Sequence, residues 1–304
     1  MDSISAIYEG TITPYVKKGL PNLPDLTLAM LDTNVWTNVA KAARQSSAYH
    51  VSVMQRMVKG IDLIVVPEII LKECAGSGRQ IGMIDTRFNE LYEPVFKALS
   101  GMVDIHVVTF TDMENMMVNS NGGKKDSAFR KALLIANELF ETNSDVKAAL
   151  ATVKQFSEIE GALTVIQKDA GERVILFYTM LFLNEYWSVD VFTNEVEVYT
   201  DRTIIALKEK LREAIGNFQI EDFYEAFRIS SYDVVLFDVL VEHDTQWSSD
   251  MKRDFVTQCR DNKTRKIRVH SKIANYANVE HCANNNEFLM YYSTWKINSM
   301  SIVF

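Results

Sequence analysis

Leu26 to Trp36 reads Leu-Thr-Leu-Ala-Met-Leu-Asp-Thr-Asn-Val-Trp, and it constrains the fold more than any other stretch. Five apolar residues and one Thr run into Asp32. That pattern predicts a short buried strand ending in a carboxylate. Thr33 and Asn34 follow as turn and cap residues, and a helical pattern begins at Val35. In an open α/β sheet, ligands bind outside the carboxyl ends of the strands, so Asp32 stands where chemistry is done. The competing reading is an Asp that only caps the next helix.

The rhythm repeats downstream. Helix-compatible sequence from Val35 to Lys59 stops at Gly60, and Ile61–Val66 is the second predicted strand. Pro67 and Glu68 open the next helix, which carries Glu73 and stops in Ala75-Gly76-Ser77-Gly78. Residues 79 to 102 have helical spacing, and Val103–Val108 is a third strand. From Thr111 to Val165 the chain is polar and helix-compatible, broken by a flexible loop at Asn119–Gly123. Asp169 and Glu172 look like a capping box for a buried helix over Val174–Leu183. Ser188–Glu195 is a fourth strand, and 201 to 215 form an amphipathic helix.

Strands alternating with helices imply a parallel sheet covered on both sides, so the fold class is α/β. The expected organisation is a leader over residues 1 to 25, a main domain over 26 to 216 and a C-terminal α+β extension over 217 to 304. In that extension Tyr232–Val241 and Arg265–Val269 are candidate strands. No stretch is apolar for long enough to span a bilayer, and the N-terminus does not resemble a signal peptide. Three widely separated cysteines suit a reducing compartment, and a cytoplasmic location is expected.

Asp32 and Glu195 end strands, while Glu73 and Glu172 sit on helices; in a parallel sheet all four can converge at one edge. Clustered acids repel unless a cation neutralises them. Oxygen ligands without a His or Cys cluster point to Mg²⁺ or Mn²⁺ and to phosphodiester cleavage.

These residues resemble the PIN-domain nuclease family. The matching pieces are Leu31–Trp36, the Val66-Pro67-Glu68 to Glu73 helix start, Asp169-Ala-Gly-Glu172 and Phe192-Thr193-Asn194-Glu195. The resemblance implies a PIN-like sheet with metal-ligating, catalytic acids at Asp32, Glu73, Glu172 (or its neighbour Asp169) and Glu195. Thr33, Asn34 and Asn194 would support them. It covers about two-thirds of the chain, makes 110 to 165 a helical insertion, and puts Glu at 195 where the family more often has Asp. It further implies an endonuclease, RNA favoured over DNA, leaving 5′-phosphate and 3′-hydroxyl ends. A homo-oligomer or an inhibitory protein partner is compatible with it. The alternatives are a PIN-like nucleic-acid-binding or protein-interaction module with little catalysis, and a structure-specific DNA nuclease.

A net charge of −8 does not advertise nucleic-acid binding, so a local basic patch must supply it. Between Arg260 and Lys272, six basic residues against one acid, Asp261, leave a local +5. Lys263, Arg265, Lys266 and Arg268 are the candidate phosphate contacts. The glycines of Gly76–Gly82 follow a helix, not a strand, which sets aside a dinucleotide loop. His281-Cys282 lacks a second pair at zinc spacing.

Overall fold

The computed structural model describes residues 12–21, 25–44, 48–75, 88, 90–185, 187–194, 226–260, 263–271, 278–298 and 300–302. Its centre is a six-stranded, all-parallel sheet: β1 (Lys17–Lys18), β2 (Thr27–Leu31), β3 (Leu63–Pro67), β4 (Asp104–Val108), β5 (Ser188–Phe192) and β6 (Phe227–Ser230), in the order β1-β4-β3-β2-β5-β6. Every residue of β3, and Leu28 to Leu31 of β2, is buried. Central parallel strands covered on both faces need such unbroken apolar runs.

Twelve helices are described. The first four are α1 (Thr33–Arg44), α2 (Ala48–Met57), α3 (Glu68–Ala75) and α4 (Glu93–Ser100). Then come α5 (Phe110–Ser120), α6 (Lys125–Leu139), α7 (Ser144–Leu150), α8 (Phe156–Leu163) and α9 (Ala170–Asn184). The last three are α10 (Tyr232–Glu242), α11 (Ser249–Cys259) and α12 (Asn285–Asn298). Every residue of α9 from Arg173 to Leu183 is buried, so α9 is a central helix without a solvent face. Helices α5 to α8 pack on one another, and α5, α6 and α8 also pack on α9, which makes the 110–165 stretch an all-helical layer. None of the described helices is long and apolar enough to cross a membrane.

Four sequence expectations change. The N-terminal stretch is more than a leader: β1 pairs with β4, and its lysines blunt an edge strand. The break at 119–123 is a closed turn, not a loose loop. Asn121, Gly122 and Gly123 amides all bond back into the end of α5, and both glycines have positive φ. Tyr232–Val241 is helix, not strand. Ser231 caps it by accepting from the Val234 amide, and burial on most sides removes the polar period that marks an amphipathic helix. Finally, β6 lies beyond the expected boundary at Gly216 yet completes the parallel sheet beside β5, so the main unit runs past it. Gly216 itself, the 201–215 helix and Gly76–Gly82 lie outside the described residues.

The chain's last part adds an antiparallel sheet of β7 (Arg265–Ser271), β8 (Asn278–Ala283) and β9 (Met300–Ile302), in the order β8-β7-β9. A buried ion pair fixes it to the main unit. Arg260 and Asp233 are 1% and 2% exposed, with Nη2 to Oδ2 at 3.1 Å. The guanidinium also donates to Ala283 O at 2.7 Å and Asn285 Oδ1 at 2.9 Å.

Candidate functional site

From β2 the chain builds outward through β3 to β4, and from β5 it builds the opposite way to β6. The two directions part between β2 and β5, the switch point where α/β sheets open a crevice. Asp32 follows the last residue of β2 and is 1% exposed. Its amide donates to Phe192 O at 2.9 Å, which extends the β2–β5 ladder to the acid itself. The carboxylate accepts from the Thr33 amide (2.6 Å), Asn34 Nδ2 (2.6 Å) and Thr193 Oγ1 (2.8 Å). The capping contact with Thr33 is therefore real, but α1 accounts for only part of the acid's environment. A buried carboxylate with three donors is rigidly oriented, as a ligand or a catalytic group must be.

Glu73, on α3, comes to the same edge. Thr33 Oγ1 donates to its Oε2, and the Gly171 amide donates to its Oε1 at 3.0 Å. That second bond replaces the expected capping box. Asp169 does occupy the N-cap position of α9, but with φ 57° and ψ 26° and no side-chain cap bond. Asp tolerates this left-handed conformation better than most residues. The orphan amide of α9 is satisfied instead by a carboxylate from another helix, which also suits the helix dipole. Glu68 stays apart, paired to Lys72 one turn along α3 at 3.4 Å, as its first-turn position implies.

Glu172 is half-buried in the first turn of α9. Burial pushes its carboxyl up to about 7, helped by the charges of Asp32, Glu73 and Asp169, while a backbone hydrogen bond opposes the rise. Arg173 contributes positive charge nearby, but its guanidinium is held by the carbonyls of Leu163, Ile166 and Lys168. It thereby pins the turn that leads into α9.

Asp32, Glu73 and Glu172 thus share one electrostatic neighbourhood. Their donor chemistry, oxygen only and partly buried, is that of hard-cation ligands, and a divalent cation there would offset both the burial and the repulsion that raise Glu172. The side chains are not closed around one point: among the described residues no group of three or more His, Cys, Asp or Glu has metal-ligand spacing. Glu73 uses its oxygens on Thr33 and Gly171 instead. Glu195 lies outside the described residues. A cleft of about 670 Å³ runs along α5, lined by Leu20, Asn115, Asn119, Glu185 and Trp187 among others, and none of these acids lines it.

A raised carboxyl means that the folded state binds this proton more tightly than the unfolded chain does. Its contribution to stability is then fullest below about 4.5 and is lost as pH climbs toward about 7. In EDTA, Glu172→Gln is expected to melt a few degrees above the parent at pH 8 and level with it at pH 4. Thermal melts across that range test this; equal differences at both ends would contradict it.

The network continues across the sheet. The Asn194 amide donates to Asn34 Oδ1 at 3.2 Å, and Asn194 Oδ1 accepts from the Tyr232 amide at 3.1 Å. Tyr232 opens α10, and its neighbour Asp233 holds Arg265 of β7 at 3.4 Å as well as Arg260. The start of the basic strand is therefore tied to the acid edge. This also corrects the basic cluster. Arg260 is buried structure, Arg265 turns inward to Asp233, and Lys272 is outside the described residues. Lys263 and Lys266 are exposed and Arg268 is half-exposed. Along β7, Ile267 and Val269 alternate with them onto the buried face.

Thr193, Gly171 and Arg173 were not singled out from the sequence. The signal for Gly171 was a glycine in the first turn of a helix, where Ala is the better helix former. For Arg173 there was none, because its partners are backbone carbonyls. No protein-family model, curated protein or solved structure matches this chain.

Proposed function

We propose that this chain is a PIN-like, Mg²⁺- or Mn²⁺-dependent endonuclease, with RNA favoured over DNA as substrate. One observation supports the reading: Asp32, Glu73 and Glu172, from three separate elements, share one electrostatic neighbourhood at the edge beside β2 and β5. A divalent cation held by these oxygens would supply charge neutralisation for displacement at a phosphodiester. Asp32 and Glu172 are the residues to hold it, with Glu73 joining from α3. Thr33, Asn34 and Thr193 fix the orientation of Asp32, and Asn194 ties that arrangement to α10. Glu195, one residue on, is the remaining acid of the proposed set.

Cleavage of pooled RNA and DNA by the purified protein, in Mn²⁺ or in EDTA with end mapping, tests the proposal. The expected products carry 5′-phosphates and 3′-hydroxyls and appear only with metal. The closed arrangement of Glu73 on Thr33 and Gly171 favours a second reading, a binding module in which Glu73 is only a helix cap. Binding without metal-dependent cleavage would select it.

The outward side of β7 is the substrate-backbone track in this proposal. Changing Lys263, Lys266 and Arg268 together to Glu is expected to weaken nucleic-acid binding. It should also flatten the salt dependence by about one unit of log–log slope per lost phosphate contact. Arg265→Glu should instead destabilise the fold through Asp233. A binding titration with an unchanged slope in the triple variant would remove this face from the account.

A further inference from the structure

Gly171 has no side chain where Glu73 needs space. A Cβ built on it would stand 2.6 Å from Glu73 Oε2, 2.8 Å from Oε1 and 2.9 Å from Cδ. Carbon and oxygen atoms do not approach that closely without bonding, so any other residue at 171 and the present position of Glu73 are mutually exclusive. The backbone does not otherwise call for glycine here, since Gly171 is absent from the positive-φ positions. Ala would be the better helix former at an ordinary helical site. The same residue offers its amide to Glu73 Oε1 at 3.0 Å. On the other side, Thr33 Oγ1 holds Oε2, and Thr33 Oγ1 is itself one residue from Asp32.

We infer that Gly171 is a positioning residue: its amide and its missing side chain form the seat that holds the Glu73 carboxylate beside Asp32. The inference rests on the nuclease reading above and assigns a role that the acids alone do not reveal. The obstructing atoms lie at the free end of a flexible side chain. Gly171→Ala therefore displaces Glu73 without forcing the backbone of α9 to move, and the variant folds. It removes one acid from the edge while leaving that acid in the sequence.

A double-mutant cycle between Gly171→Ala and Glu73→Ala tests this on the full chain. In metal-free buffer, Gly171→Ala should raise the melting temperature in the Glu73→Ala background, where only helix propensity changes. In the parent it should raise it less or lower it, because the carboxylate cap is lost. Purely additive melting shifts would overturn the seat. With Mn²⁺, Gly171→Ala is expected to weaken metal binding by calorimetry and slow cleavage by about 10²-fold, the usual penalty for misplacing a group by an ångström. It should add nothing further once Glu73 is Ala. Glu73→Asp, with an arm one methylene shorter, should restore part of the activity to Gly171→Ala. Equal losses in both Glu73 backgrounds would make Gly171 a general structural residue. A parent protein that neither binds Mn²⁺ nor cleaves would overturn the nuclease reading, and coupling in the melts would then mark Gly171 as the seat of a helix cap only.

Discussion

Asp32→Asn is expected to abolish metal-dependent cleavage while the protein stays folded. The substitution keeps the shape and removes the charge at the most rigid point of the edge, where the ladder to Phe192 O fixes the backbone. Several kcal/mol of charge stabilisation lost from the displacement step correspond to about 10³-fold or more in rate. The structural cost is small and can be located. One oxygen must keep accepting from Asn34 and Thr193, because Asn34 is itself committed to the Asn194 amide. The new amide NH₂ then faces the Thr33 amide and loses that bond. An unmet donor pair of this kind costs about 1–3 kcal/mol, partly offset by relieved repulsion among the acids. Activity assays beside denaturant melts read both numbers. Full cleavage by a folded Asp32→Asn protein would sink the proposed role.

Arg260→Met should give the largest loss of stability, about 3–5 kcal/mol, because it leaves Asp233 buried without its main partner. Arg265, at 3.4 Å, is too peripheral to take over three hydrogen bonds. The Ala283 carbonyl and the Asn285 side chain would lose their donor as well. Since α10 begins beside Asn194, the damage should reach the acid edge, and cleavage should fall with stability. Urea unfolding with the change confined to the midpoint would measure it. A loss under about 1 kcal/mol would mean that the pair is dispensable.

The parallel sheet was legible because buried strands such as Leu28–Leu31 and Leu63–Val66 leave unbroken apolar runs, and because Gly60 and Pro67 punctuate them. The placement of Asp32, Glu73 and Glu172 on one edge followed from the same rhythm. Tyr232–Val241 misled because a helix buried on most sides carries no period, and its β-branched content imitates a strand. The charge count around Arg260 misled for a different reason. A sequence shows how many charges a segment has but not which point inward, and Arg260 and Arg265 both turn to an acid 27 and 32 residues earlier in the chain. The cap of α9 was illegible locally, since its acceptor is Glu73, 98 residues away from Gly171.

These acids are proposed to hold a divalent cation. Diffraction from crystals grown with Mn²⁺, recorded near the manganese absorption edge, tests it most directly. The account predicts an anomalous peak between the Asp32 and Glu172 carboxylates, beside Glu73 in its Gly171 seat, that disappears in Asp32→Asn. An edge without a peak at saturating Mn²⁺ would contradict it.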